Sequence, residues 1–289
     1  MTFTSHGLIA SLIAACGAAI GMAGGAVAAS GEQDAAHEIE WPRAPYIDVI
    51  SQRTVSFVAR DLETGDMYIL EGSAPDRRRT PWSTFKIPHL VLALETGAAE
   101  SLDAAYAWDP VRRPAENYWP RDWRQDQTLG SAFSRSAAWV FQDIATTLDS
   151  DAYRETLARW SYGDAEIADG SDAFWVDHTL SVSPREQVVF LEALLSGHLG
   201  VSPVTLDALD RAAFAATSEL GRLYGKTGSG PVELGNFDGR FEGWYAGYLR
   251  RDGQAPIVFA LHVEGSSFTA INTFRRAFAE RLLADIEAR

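Results

Sequence analysis

Strand-like stretches lie at both ends of this chain and helical ones fill its middle, and that order constrains the fold more than any other feature. Thr54 to Arg60 and Met67 to Glu71 flank a Leu62-Glu63-Thr64-Gly65-Asp66 turn, which predicts a hairpin. Apolar residues then recur at helical spacing (Ile87, Leu90, Val91, Leu94), with Gly97 as a stop. Further helices are expected over 136–148, 152–160 and 205–217, and from Ser183 to about Gly197. Ser183-Pro184-Arg185-Glu186 marks a helix start, with a cap serine, proline at the first position and glutamate at the third. Leu223–Thr227, Gly243–Arg250 and Pro256–Glu264 return to strand character. A final helix runs from about Phe268, turning Ile271, Phe274, Phe278, Leu282 and Ile286 inward. Residues 30–50, 98–130 and 162–181 read as irregular. Strands at the two ends can share one mainly antiparallel sheet flanked by helices, an α+β fold, with residues roughly 98–215 inserted as a helical lobe. The cleft between lobe and sheet is the expected binding site.

Two lysines occur among the 25 basic residues, Lys86 and Lys226; the rest are arginine. An arginine keeps its proton in a protein, whereas a buried lysine can lose it. Lys86 stands one helical turn after Ser83, so hydroxyl and amine can face the same side. That pair is the smallest unit that makes a serine nucleophilic. Lys226-Thr227-Gly228 adds a second cation and a hydroxyl on a strand, suited to binding a carboxylate. Ser-x-x-Lys with Lys-Thr-Gly is the signature of serine β-lactamases and penicillin-binding proteins. Gly225-Lys226-Thr227 also resembles the end of a phosphate-binding loop, but the earlier glycine that motif needs falls on Leu220.

The net charge of −14 argues against nucleic acid and anionic membrane surfaces as partners. Six histidines show no His-x-His or His-Glu-x-x-His pairing, so no metal site is expected. Residues 1–29 carry no Asp, Glu, Lys or Arg, and Ala26-Val27-Ala28 fits a cleavage site. Residues 1–28 are therefore read as an export signal, giving a periplasmic protein with no membrane span in the mature chain. Residues 29–289 are read as one catalytic domain. The single cysteine, Cys16, lies in this segment, and Ile13-Ala14-Ala15-Cys16 resembles a lipobox, which would make Cys16 a lipid anchor.

From about Thr54 to its end the chain resembles the class D, oxacillinase-type serine β-lactamases. The resemblance rests on Pro81-Trp82-Ser83-Thr84-Phe85-Lys86-Ile87-Pro88 with Leu94-Glu95-Thr96-Gly97; on Trp108-Asp109 and Trp123 through Thr128; and on Ser136 through Gln142. It continues through Tyr162-Gly163-Asp164, Phe174-Trp175, Lys226-Thr227-Gly228 and Gly243-Trp244-Tyr245-Ala246-Gly247. No Ser-Asp-Asn is present, which disfavours class A. The resemblance implies hydrolysis of a β-lactam, with Ser83 as nucleophile and Lys86 as general base after carboxylation by carbon dioxide. It implies that Trp175 donates its indole N–H to that carbamate and that Phe85 keeps the site dry. Ser136 would protonate the leaving nitrogen with electrostatic support from Lys226. Thr227, Gly228 and Arg275 would hold the substrate carboxylate, with Arg276 close behind Arg275. The N–H groups of Ser83 and Ser229 would form the oxyanion hole. No cofactor other than the carbamate is implied, and the assembly would be a monomer or homodimer. His89 and His262 read as structural.

Three positions depart from the family pattern. Ala138 replaces valine, which would make the Lys86 pocket roomier and wetter. Asp164 replaces asparagine, which would bring negative charge toward the site. Trp82 replaces a small residue before the nucleophile, which would crowd the cleft. Competing functions are a β-lactam sensor that stays acylated and a cell-wall transpeptidase or carboxypeptidase.

Overall fold

The computed structural model describes residues 37–289. The proposed signal and lipobox, Cys16 included, lie outside the described residues. Strand β1 (Glu38–Trp41) and short helix α1 (Ile47–Ile50) precede the hairpin of β2 (Thr54–Asp61) and β3 (Met67–Leu70). A 3₁₀ turn, Trp82–Phe85, runs directly into α2 (Lys86–Glu95). The lobe holds β4 (Ala105–Tyr106), β5 (Gln127–Thr128), α3 (Leu129–Arg135), α4 (Ala138–Ala145) and α5 (Ser150–Arg159). Then come α6 (Pro184–Leu195), α7 (Pro203–Ala213), β6 (Phe214–Ser218), β7 (Gly221–Pro231), β8 (Phe241–Arg250), β9 (Ile257–Gly265) and α8 (Phe268–Glu287).

The main sheet has the order β1-β3-β2-β9-β8-β7-β6. Every pairing is antiparallel except β1 with β3. The hairpin near the start thus joins the C-terminal strands through β2 and β9, as the distribution of strand-like stretches requires. Both faces of the sheet are covered, so β8 and β9 are buried almost throughout. On one face Phe57, Tyr245, Phe259, Leu261 and Val263 pack with Ile271, Phe278 and Leu282 of α8. On the other, Val58, Trp244, Ala246, Val258 and Ala260 join the core of α2, α4 and α6. The alternation along β9 assigns each side chain to one layer.

Local signals explain several boundaries. Ser183 accepts from the Glu186 N–H while Glu186 accepts from the Ser183 N–H, the reciprocal cap that the sequence predicts. Gly97 takes the left-handed conformation just past α2, where a residue without Cβ is favoured.

The sequence reading needs correction in four places. Residues 214–217, read as helix, form strand β6. Pairing with β7 overrides the helical propensity of the alanines, with an irregularity between Phe214 and Ala216. Within the supposed lead-in, β1 adds a parallel edge to β3. A small β4–β5 sheet and the first residues of α3 fall in the stretch read as irregular, and the rest of α3 lies just past it. The helix expected from Ser136 starts at Ala138, because Ser136 itself is left-handed (φ 66°) at the end of α3.

Gly247 lies where β7 and β8 approach most closely: a Cβ there would stand 2.0 Å from the Tyr224 carbonyl oxygen and 2.5 Å from the Gly225 Cα. Both obstacles are backbone, so neither can swing aside. Gly247→Ala is expected to destabilise the fold by ~1–3 kcal/mol, read as a lower denaturation midpoint in urea; an unchanged midpoint would contradict this packing.

Candidate active site

The cleft between lobe and sheet has a volume of about 830 Å³. Ser83, Ser136, Thr227, Gly228, Ser229 and Arg275 all line it. Four separate elements therefore converge there: the turn before α2, the turn between α3 and α4, strand β7 and helix α8. Lys86, Lys226 and Trp175 lie behind this surface.

Burial governs the first pair. Lys86 is 0% exposed, and its Nζ donates to Ser83 Oγ at 3.0 Å. Its Nζ stands 5.0 Å from the Phe141 ring centre, so an aromatic ring borders it. No carboxylate partner offsets desolvation, and the positive Lys226 adds repulsion. The Lys86 pKa is consequently held well below that of a free lysine. Ala138 lines the cleft, yet Lys86 remains wholly buried.

Beneath Lys86, Trp175 stacks on Phe85 (ring centres 5.6 Å apart, planes at 17°) and meets His89 edge-on at 5.1 Å. Trp175 is wholly buried, and its Nε1 has no hydrogen-bond partner. Buried polar groups are rarely left unpaired, so this N–H is an exception among the described residues. His89 is also fully buried, bonded through Nε2 to Tyr153 Oη at 2.7 Å; desolvation, helped by Lys86, lowers its pKa to about 3, which keeps the ring neutral.

Lys226 forms the second pair. Its Nζ donates to Ser136 Oγ at 2.8 Å and to the Thr227 carbonyl at 3.0 Å. Burial, with a contribution from Arg275, lowers its pKa to about 7. Ser136, left-handed at φ 66°, lines the cleft with its hydroxyl accepting from Lys226.

Arg275 is 6% exposed, and its Nε and Nη1 have no partners. Burial lowers its pKa to about 10, leaving it charged at neutral pH. Arg276 faces elsewhere, bonded to Glu280 and the Ala215 carbonyl. Arg275 Nη2 donates to Asn272 Oδ1 at 3.0 Å, and the remaining N–H groups of this buried cation on the cleft wall are suited to a carboxylate ligand.

Close approach of β7 to the Ser83 turn depends on glycine. A Cβ on Gly228 would lie 2.8 Å from the Ser83 nitrogen and 2.9 Å from the Pro81 oxygen. The outer wall is aromatic: Tyr118 stacks on Phe237 at 5.0 Å, and Trp119, Trp123, Phe241 and Phe268 also line the cleft. Tyr118, Trp119 and Trp123 of this wall come from residues 98–130, a stretch that the sequence marked only as irregular.

Two departures from the family pattern act differently from expectation. Asp164 does not line the cleft; its carboxylate accepts from the Ser181 and Glu166 N–H groups and from the Ser181 hydroxyl, so its charge is held within its own loop. Trp82 does border the cleft, but 94% of it is covered, with its indole laid against Gly230. Its Nε1 donates to Glu242 Oε1 at 2.7 Å. Glu242, His262 and Glu264 have ligand atoms within 4.8 Å of one another, as a metal site would. Their oxygens are instead taken by Trp82, His262, Arg79 and Arg240.

The family model of the penicillin-binding protein transpeptidase domain matches residues 55–286. The chain is 30% identical over 217 residues to the probable β-lactamase YbxI of Bacillus subtilis, covering 75% of this chain and 77% of that one. Among solved structures, the class D β-lactamase from Bacillus subtilis superposes with a TM-score of 0.70 at 26% identity, covering 81% of this chain and 94% of that one. The C-terminal domain of the Bacillus licheniformis BlaR penicillin receptor gives 0.76 at 25%, covering 86% and 96%. With two buried lysines each bonded to a serine on one cleft, and with this similarity running through nearly all of the described residues, the chain belongs to the class D serine β-lactamase family.

Proposed function

We propose that this protein hydrolyses β-lactam antibiotics through a covalent acyl-serine. The observation that carries the reading is Lys86: an amine with a strongly lowered pKa, wholly buried, 3.0 Å from the Ser83 hydroxyl. An amine held neutral can take up carbon dioxide, and the resulting carbamate would supply a general base. The unpaired Trp175 Nε1 and the apolar ring of Phe85 fit such a group, since one offers a donor and the other excludes water.

Ser83 Oγ attacks the lactam carbonyl and gives up its proton on the Lys86 side. The N–H groups of Ser83 and Ser229 receive the developing oxyanion. Ser136, supported by Lys226, delivers a proton to the departing lactam nitrogen. Arg275 and Thr227 hold the substrate carboxylate by charge and hydrogen bonding. Water then attacks the acyl-enzyme carbonyl from the Lys86 side, the ester bond breaks and Ser83 is restored. The uncharged opening of residues 1–29 supports export to the periplasm.

The likeness to the BlaR receptor domain supports one alternative, a sensor that is acylated and stays so. Nitrocefin turnover and intact mass after penicillin treatment separate the two. Continuous turnover is expected, lost by ~10³-fold or more in Ser83→Ala and Lys86→Ala and stimulated by bicarbonate. A stable adduct without turnover would establish the sensor reading instead.

The Lys226 pKa of about 7 sets a pH dependence. As pH rises through that value the amine loses its charge and with it the electrostatic support for Ser136. The free enzyme's kcat/KM is therefore expected to fall on the alkaline side. Lys226→Arg, whose charge persists, is expected to move this limb upward even if the plateau is lower. An identical alkaline limb in both proteins would remove Lys226 as its source.

A further inference from the structure

The geometry points to Trp82 and Glu242 as positioning residues that aim the Ser83 N–H of the oxyanion hole. This rests on the acyl-serine reading above and extends it to Trp82, whose ring borders the cleft, and to Glu242, which does not line it.

The peptide unit between residues 82 and 83 carries the Ser83 N–H, so the Trp82 backbone dihedrals set where that N–H points. Trp82 has φ 51°. A bulky side chain in the left-handed region is a genuine outlier, sustained only where its surroundings over-determine it. Two contacts do so. A Cβ on Gly230 would fall 2.2–2.3 Å from Trp82 ring atoms, so the indole lies directly against bare backbone of β7. Its Nε1 donates to Glu242 Oε1 at 2.7 Å, and Glu242 is the cross-strand partner of Gly230.

The acceptor is itself fixed. Glu242 is 3% exposed, and its other oxygen is 3.1 Å from His262 Nε2 on β9, with Arg79 Nε at 3.9 Å. Behind it Glu264 is bonded by Arg79 and Arg240. A chain of bonds thus runs from the nucleophile turn across β8 to β9. The other N–H of the hole, that of Ser229, belongs to β7, one residue from the glycine against which the indole lies. Trp82 therefore locks the two halves of the hole, which come from separate elements, in one mutual orientation. The burial of both partners raises the strength of the bond and the cost of losing it.

The oxyanion forms in both acylation and deacylation, so a misaimed donor slows both steps alike. Trp82→Phe keeps an aromatic ring against Gly230 and removes only the donor. Its kcat is expected to fall ~10-fold or more, with KM unchanged within about threefold because both chemical steps slow together. Glu242→Leu should match that loss with Trp82 intact, and the double variant should lose no more than either single one. Glu242→Gln, which keeps an acceptor oxygen, should return most of kcat. Melting temperatures taken alongside identify any variant that fails to fold, in which case the other single variant carries the comparison. Full kcat in Trp82→Phe, a change confined to KM, or additive losses in the double variant would overturn the assignment. Absence of turnover in the wild-type protein is a separate outcome, counting against the hydrolase reading. The same ratios are then read from the rate of acylation by intact mass.

Discussion

Desolvation of Lys86 is the constraint on which the rest of the site depends. A lysine side chain is ordinarily kept in water by its charge, and burying that charge unpaired is costly. Here burial, with repulsion from Lys226, holds the Lys86 pKa well below that of a free lysine and so favours release of the proton. The Phe141 ring beside the amine, and the stacked Phe85 and Trp175 of the same core, are the means, because they displace water without offering an anion. A carboxylate near Lys86 would restore the charge and abolish the base. The chain avoids this: Asp164 is occupied by its own loop, and the buried carboxylates Glu242 and Glu264 are tied to Trp82, His262 and two arginines.

The sheet serves the same end from the other side. Strand β7 presents its edge to the nucleophile turn, and Gly228 and Gly230 let backbone and indole approach where any side chain would intrude. The fold therefore supplies two unlike environments within one cleft. Lys86 lies in an aromatic chamber under the turn. Lys226 lies on the strand with Ser136 and, with Arg275, makes the cleft positive in a chain of net charge −14. An anionic ligand is drawn to that local charge whatever the overall balance.

Much of this was legible in the sequence wherever the signal was local. Ser83 and Lys86 meet because they are one turn apart, and Ser183 with Glu186 caps a helix by the same short-range geometry. Strand-like residues at both ends implied a shared sheet. Features that depend on partners distant in sequence were not legible. Strand β6 exists because β7 offers it an edge, and β1 because β3 does. Ser136 sits outside the helix expected of it, since its left-handed backbone ends α3 before α4 begins. Trp82 read as an obstruction in the cleft. Its meaning appears only with Gly230 and Glu242, roughly 150 residues away, placed beside it by the β7–β8 register. Similarly, Ala138 read as a source of wetness, whereas Lys86 is wholly buried with the Phe141 ring beside it.

The most direct test of the account is whether Lys86 carries no proton at neutral pH. Carbon-13 NMR of the protein equilibrated with labelled bicarbonate reads this, since only a neutral amine adds carbon dioxide. The account predicts one slowly exchanging carbamate resonance, absent in Lys86→Ala and lost on acidification. A protein that turns over substrate but shows no such resonance, with its Lys86 ammonium titrating near the ordinary lysine value, would contradict it.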